Sequence, residues 1–325
     1  MNVTDLYGPI QSELLDVEKR LESVWKRGSS DGAELLNSIL GHVLDAPGKR
    51  TRPAITILAS RFHPHDHDLP QIMATAVELL HIATLVHDDT VDNSPVRRGK
   101  ATVSSRWGRN VAVLVGDYVF ATSATFVCDT KNVRVIRRFS ETIMELSKGE
   151  LSEIFLAFNP AFSRDLYWER IYEKTASLFS TAAESGAVLS GAPEELVQCL
   201  KSYGHNLGMA FQIVDDILDF EGTQEEIGKP VGNDLLQGTV TLPTLLLLER
   251  YPDDNPVVKL FQDGADDGNL QRAVDMVQNS GIIPEATSIA ADFSRCAIEA
   301  LDPLPDNTYK RSLVELARFV MERRR

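Results

Sequence analysis

Residues 72–92 read IMATAVELLHIATLVHDDTVD. Ile72, Ala76, Leu79, Ala83 and Val86 fall three or four positions apart, the spacing of one buried helical face. The run closes on Asp88, Asp89 and Asp92, and Pro95 stops the helix soon afterwards. Residues 208–222, GMAFQIVDDILDFEG, repeat the device with Asp215, Asp216 and Asp219 before Gly222. With 25 Asp in 325 residues, random placement gives about 0.15 DDxxD matches per chain, so two are not an accident. The first and last Asp of each cluster share a helix face, where like charges repel. Both clusters also lie near helix C-termini, the negative end of the macrodipole. A cation is needed among them. An all-carboxylate oxygen set suits a hard ion, above all Mg2+, which keeps waters and binds phosphate oxygens beside one or two carboxylates. The implied ligand is a phosphorylated small molecule.

Helical periodicity extends beyond these runs, as at Leu14, Val17, Leu21 and Val24, while strand-like alternation is scarce. Gly- and Pro-rich breaks delimit roughly ten helices, and no linker or repeat divides them. The expected fold is all-α, a single domain over residues 1–325 built around a central cavity. Phe155, Phe158, Phe211 and Phe220 are expected in the core.

The chain holds 33 Lys+Arg against 47 Asp+Glu, a net charge of −14. That balance argues against a nucleic-acid partner and against an anionic membrane surface. The apolar stretch Val111–Val127 is interrupted by Asp117, so no transmembrane segment is expected. Three cysteines without a CxxC pair, and an N-terminal stretch lacking a basic start and apolar core, lead to a cytoplasmic location. His63, His65 and His67 read as a polar turn more than a metal tract.

Basic residues nonetheless cluster beside the breaks: Lys49, Arg50 and Arg52, then Arg97 and Arg98 after the first cluster, then Lys229 after the second. Arg gives bidentate phosphate contacts and Lys a point charge. With these motifs in order (GKRTRP, ELLHIATLVHDDTVDNSPVRRGKAT, GDYVFA, YEKTASLF, and GMAFQIVDDILDFEG with GKPVGNDLLQGTVTLP) the chain resembles the trans (head-to-tail) isoprenyl diphosphate synthases. The match is to the geranylgeranyl and longer polyprenyl types, and covers about residues 48–243.

The resemblance implies an isoprenoid-synthase helical bundle, usually homodimeric, with three Mg2+ in the substrate-bound state. Asp88, Asp92 and Asp215 would be the principal ligands, with Asp89, Asp216 and Asp219 acting through water or orienting them. It places Arg97, Lys174, Gln212 and Lys229 on the allylic diphosphate and Thr175 near the developing cation. Isopentenyl diphosphate would be held by Lys49, Arg52, His81 and Arg98. Thr239 stands where many members carry Lys, which implies weaker allylic-diphosphate binding. The length-setting positions four and five residues before Asp88 are the small Thr84 and Ala83, so a product of at least twenty carbons is expected. Rival readings are a class I terpene cyclase and a subunit that sets the product length of a partner synthase. Glu78-x-x-His81 has no second copy to support a ferritin-like di-iron bundle.

Overall fold

The computed structural model describes residues 3–26, 33–44, 48–64, 66–221, 231–263 and 267–322. These fall into two compact units. One comprises Met1–Phe139, Ala182–Leu200 and Leu304–Ser312, the other Ser140–Thr181, Lys201–Pro303 and Leu313–Arg325. Among the described residues the secondary structure is helical apart from one two-stranded hairpin. The all-α reading therefore holds, with more helices than the sequence breaks suggest because several are one or two turns long.

The first unit opens with a 3-10 helix, Val3–Ile10, followed by α1 (Gln11–Trp25), α2 (Ala33–Leu44), α3 (Thr51–Ser60) and α4 (Asp68–Val91). After the hairpin come α5 (Val103–Trp107), capped by the Thr102 hydroxyl, and α6 (Arg109–Asp129). Helix α4 is the centre, packed against α1, α3 and α6. Its small side chains, Ala74, Ala76 and Ala83, are fully buried and allow close approach. At Gly116 of α6 a Cβ would lie 2.1 Å from the His87 ring, so only glycine admits that imidazole between the two helices.

The hairpin β1 (Val96–Arg97) and β2 (Lys100–Ala101) was not foreseen. Arg98 and Gly99 turn it with φ of 48° and 76°, the two positive values that a tight two-residue turn with right-handed strand twist requires. Arg in place of Asn or Asp at the first position hid the signal.

Helix α7 (Val133–Phe155) contributes to both units. In the second, α8 (Arg164–Ile171) runs into one turn of π-helix, Tyr172–Ala176, and the next two helices, α9 (Ser177–Leu189) and α10 (Glu194–Glu221), like α7 contribute residues to both units. The remainder is α11 (Asn233–Leu236), α12 (Leu242–Arg250), α13 (Pro256–Asp263), α14 (Asp267–Asn279), α15 (Ile282–Ala300) and α16 (Thr308–Glu322), of which α16 begins in the first unit. Tyr203 and Ser294 tie α16 down by donating to the carbonyls of Leu313 and Ala317 at 2.8 and 2.9 Å.

One expectation needs correction. Phe220 is core and Phe211 half-buried, but Phe155 is 78% exposed and Phe158 also lies at the surface. Phe155 follows Leu151 and Ile154 on an outward apolar stripe of α7, which spacing alone cannot distinguish from an inward one, and Phe158 lies beyond the end of that helix. In addition, α4 and α6 are long and apolar enough to cross a bilayer by length and composition. The α4 window is 72% buried within the protein, as a core helix is, and the α6 window 39%.

Candidate active site

In the first unit, α4 carries Asp88 and Asp89 in its last turn and Asp92 caps it, donating its N–H to the Asp88 carbonyl at 2.8 Å. Asp92 is exposed, Asp88 half-buried and Asp89 buried. Asp89 Oδ1 accepts from Arg97 Nε at 2.6 Å, so the hairpin is moored to the cluster through the residue that follows Val96. This pair joins two residues that the sequence placed separately, one as a metal orienter and one as a diphosphate holder.

The basic residues of this unit converge around His81. Its imidazole is held well below its ordinary pKa by burial first, then by the guanidiniums of Arg52, Arg98, Arg97 and Arg50. It stands as a neutral ring among four cations. Arg50 is the structural member: it occupies the left-handed region (φ 49°) before α3, and its Nη1 donates to Glu78 Oε1 at 2.7 Å. That bond also removes Glu78 from any Glu-x-x-His metal site. A Cβ on Gly48 would sit 3.2 Å from Arg50 Nη1 and 3.4 Å from Arg98 Nη1, so the glycine leaves room for both guanidiniums. Lys49 and Arg98 are exposed, as an anion-binding rim requires.

In the second unit, Asp215, Asp216 and Asp219 lie on the last two turns of α10. Asp216 is buried and both its oxygens are engaged: Tyr167 Oη donates to Oδ2 at 2.7 Å and Gln212 Nε2 to Oδ1 at 2.9 Å. Burial pushes its carboxyl up to about 6, although the two hydrogen bonds and Arg170 oppose the shift. Gln212 Oε1 in turn accepts from Thr175 Oγ1 at 2.6 Å. Gln212, expected on the substrate, thus bridges Thr175 and Asp216.

Lys174 and Thr175 are carried by the π turn, whose extra residue is seen in the Ser177 N–H bonding the Tyr172 carbonyl five residues back. Wide turns of this kind recur at functional sites. Lys174 Nζ lies 2.6 Å from Glu153 and 3.1 Å from Glu150, both on α7. Asp234, on α11, donates its N–H to Asp219 Oδ2 at 3.2 Å. Burial, and then Asp219, Asp216, Glu153 and Asp215, raise its carboxyl well above the usual range. Tyr167, Arg170, Glu150, Glu153 and Asp234 were missed, since each is a single residue without a repeated pattern. Asp234 sits within the quoted GNDLLQG segment and was the most findable. Lys229 and His65 lie outside the described residues. His63 and Asp68 have partners of their own in the Ser190 carbonyl and Arg20.

Among the described residues no three His, Cys, Asp or Glu side chains form a closed metal cage. The donors are carboxylate oxygens on helix ends, the set a hard divalent cation takes when water and phosphate complete its shell.

Residues 33–277 match the polyprenyl synthetase family model. A prenyl transferase of Synechocystis sp. is 36% identical, with 99% of each chain aligned. The heptaprenyl diphosphate synthase component 2 of Geobacillus stearothermophilus is 35% identical, again over 99% of both chains. Among solved structures, a polyprenyl synthase of Caulobacter crescentus complexed with calcium and isoprenyl diphosphate superposes with a TM-score of 0.90. It is 33% identical over 99% of this chain and 98% of its own. With two DDxxD helix ends, an arginine-ringed histidine and similarity along its whole length, the chain belongs to the polyprenyl synthetase family.

Proposed function

We propose that this protein is a Mg2+-dependent prenyltransferase that joins isopentenyl diphosphate to an allylic diphosphate, giving an all-trans polyprenyl diphosphate of at least twenty carbons. The observation that carries the reading is that each unit bears a carboxylate-rich helix end, while the first unit also gathers a separate basic cluster around His81. Two diphosphates need two kinds of anion site.

Asp88, Asp92 and Asp215 would hold the metal, three ions by family likeness, with Asp89, Asp216 and Asp219 setting their geometry. When bound, the ions supply Lewis-acid stabilisation of the departing diphosphate oxygens. Arg97, Lys174 and Lys229 hold the allylic diphosphate, while Lys49, Arg52 and Arg98 hold isopentenyl diphosphate. Neutral His81 donates to that second anion without adding charge. Breaking the allylic C–O bond leaves a delocalised cation beside Thr175. The isopentenyl double bond attacks, forming the C–C bond, and a proton passes to the released diphosphate. Positioning both substrates replaces a bimolecular encounter. Ala83 and Thr84 leave the growing tail room. The heptaprenyl name of a relative, seven five-carbon units, supports a long product.

The outward face of α6, with Leu114 68% exposed beside Val113 and Tyr118, supports a second copy of the chain covering it as a homodimer. Its unpaired thiols, Cys128, Cys199 and Cys296, support a cytoplasmic setting. A second reading, action together with a different subunit, is favoured by the word component in one relative's name. Asp88→Ala and Asp215→Ala test the main reading. Each is expected to silence condensation without lowering the melting temperature, and retained activity in both would reject it.

A further inference from the structure

Tyr167 is buried on α8, eight residues before Thr175. In an unbroken α-helix eight residues turn about 80° past two full turns, which would point the two side chains apart. The π turn between them absorbs one residue, so the phase is that of seven, about 20° short of two turns. The two side chains consequently share a face. Gln212 and Asp216, four apart on α10, share a face as well.

The two faces are joined at both ends. Tyr167 Oη donates to Asp216 Oδ2 at 2.7 Å, Gln212 Nε2 to Asp216 Oδ1 at 2.9 Å, and Thr175 Oγ1 to Gln212 Oε1 at 2.6 Å. The chain of bonds leaves the helical segment at residue 167 and returns to it at 175, closing a ring around the π turn. Arg170 braces it from within: buried, it donates to the Val240 carbonyl at 2.5 Å and stacks 4.8 Å over Phe162 and 5.8 Å from the Tyr167 ring. Nearby, a Cβ on Gly149 would meet Lys174 N at 2.8 Å and one on Gly208 would meet Ala176 Cα at 2.5 Å. The turn is thus clamped by backbone on two sides and closed by hydrogen bonds on the third.

We propose that Tyr167 is a positioning residue for metal-diphosphate binding: its hydroxyl fixes the Asp216 carboxylate and, through Gln212, sets where the π turn presents Thr175 and Lys174. The inference rests on the second aspartate cluster binding a metal-diphosphate. Tyr167→Phe removes the hydroxyl and keeps the ring that packs beside Arg170.

The test is calorimetric titration of the full chain with inorganic pyrophosphate in excess Mg2+, alongside melting of the unliganded protein. Tyr167→Phe is expected to weaken this binding about tenfold, the scale of one hydrogen bond to a charged group. Ile171→Val, a buried change on the same helix at a side chain that makes none of these hydrogen bonds, is expected to leave it unchanged. Thr175→Val combined with Tyr167→Phe should cost less than the sum of the two single losses, because either one opens the ring. Binding equal to the parent in Tyr167→Phe, with only the melting temperature lowered, overturns the proposal, as do additive losses. A parent chain that does not bind Mg2+-pyrophosphate removes the underlying reading, and the proposal with it.

Discussion

Arg97 Nε donates to Asp89 Oδ1 at 2.6 Å, which commits the middle carboxylate of the first cluster to a guanidinium on the neighbouring hairpin. The three aspartates are therefore unequal. Asp89→Asn is expected to lower kcat/KM for the allylic substrate about 10- to 100-fold, through a misplaced Arg97. Asp88→Ala should cost about a thousandfold or more, as loss of a metal ligand does. Steady-state kinetics check the order, and adding Asp89→Asn to Arg97→Ala should have little further effect.

Product length tests the other end of α4. Thr84 is half-buried and its hydroxyl donates back to the His81 carbonyl at 2.8 Å. Ala83 has no exposed surface. Both Thr84→Phe and Ala83→Phe are expected to shorten the product on chromatography. Only Ala83→Phe should also destabilise the fold, by about 1–3 kcal/mol of overpacking. An unchanged product spectrum in both would show that this helix does not set length.

The pH dependence of folding follows from Asp216. Burial raises its carboxyl from an ordinary value of 3.8 to about 6. Between those values the folded state keeps a proton that the unfolded chain has lost. Its contribution is thus fully present below about pH 4 and lost as pH rises to 6, by about 3 kcal/mol. In chelator-treated protein, Asp216→Asn should gain stability relative to the parent over that interval and stay level above it. Denaturant unfolding at pH 4, 5, 6 and 7 measures the gap, and a constant difference would contradict the assignment.

Gly208→Ala tests the clamp on the π turn. The new Cβ would meet Ala176 Cα at 2.5 Å and Ala176 Cβ at 2.8 Å, contacts that backbone must yield to relieve. An unfolding free energy lower by about 1–3 kcal/mol and a reduced kcat are expected. Gly8→Ala, where a Cβ meets nothing within 4 Å, serves as the neutral comparison.

What the sequence discloses, and what it withholds, follows from how each feature is encoded. The aspartate clusters are legible because six residues repeat one spacing at two helix ends, and their electrostatics demand a cation. His81, Arg52 and Arg98 gain meaning only through the resemblance, and the structure gathers them in one unit. Tyr167 and Arg170 leave no trace in periodicity, since their role depends on a one-residue phase shift that letters do not show. Glu150 and Glu153 look like solvent-facing charges on α7 until Lys174 is seen between them. The hairpin escaped because Arg98 occupies a left-handed turn position usually given to Asn or Asp.

The most direct test of the central claim is chromatography of the products formed by the purified chain alone from labelled isopentenyl diphosphate, an allylic diphosphate primer and Mg2+. The account predicts a linear all-trans diphosphate of at least twenty carbons, formed only when both substrates and the metal are present. No labelled product with any primer, or a cyclic hydrocarbon made from the primer without isopentenyl diphosphate, would contradict it.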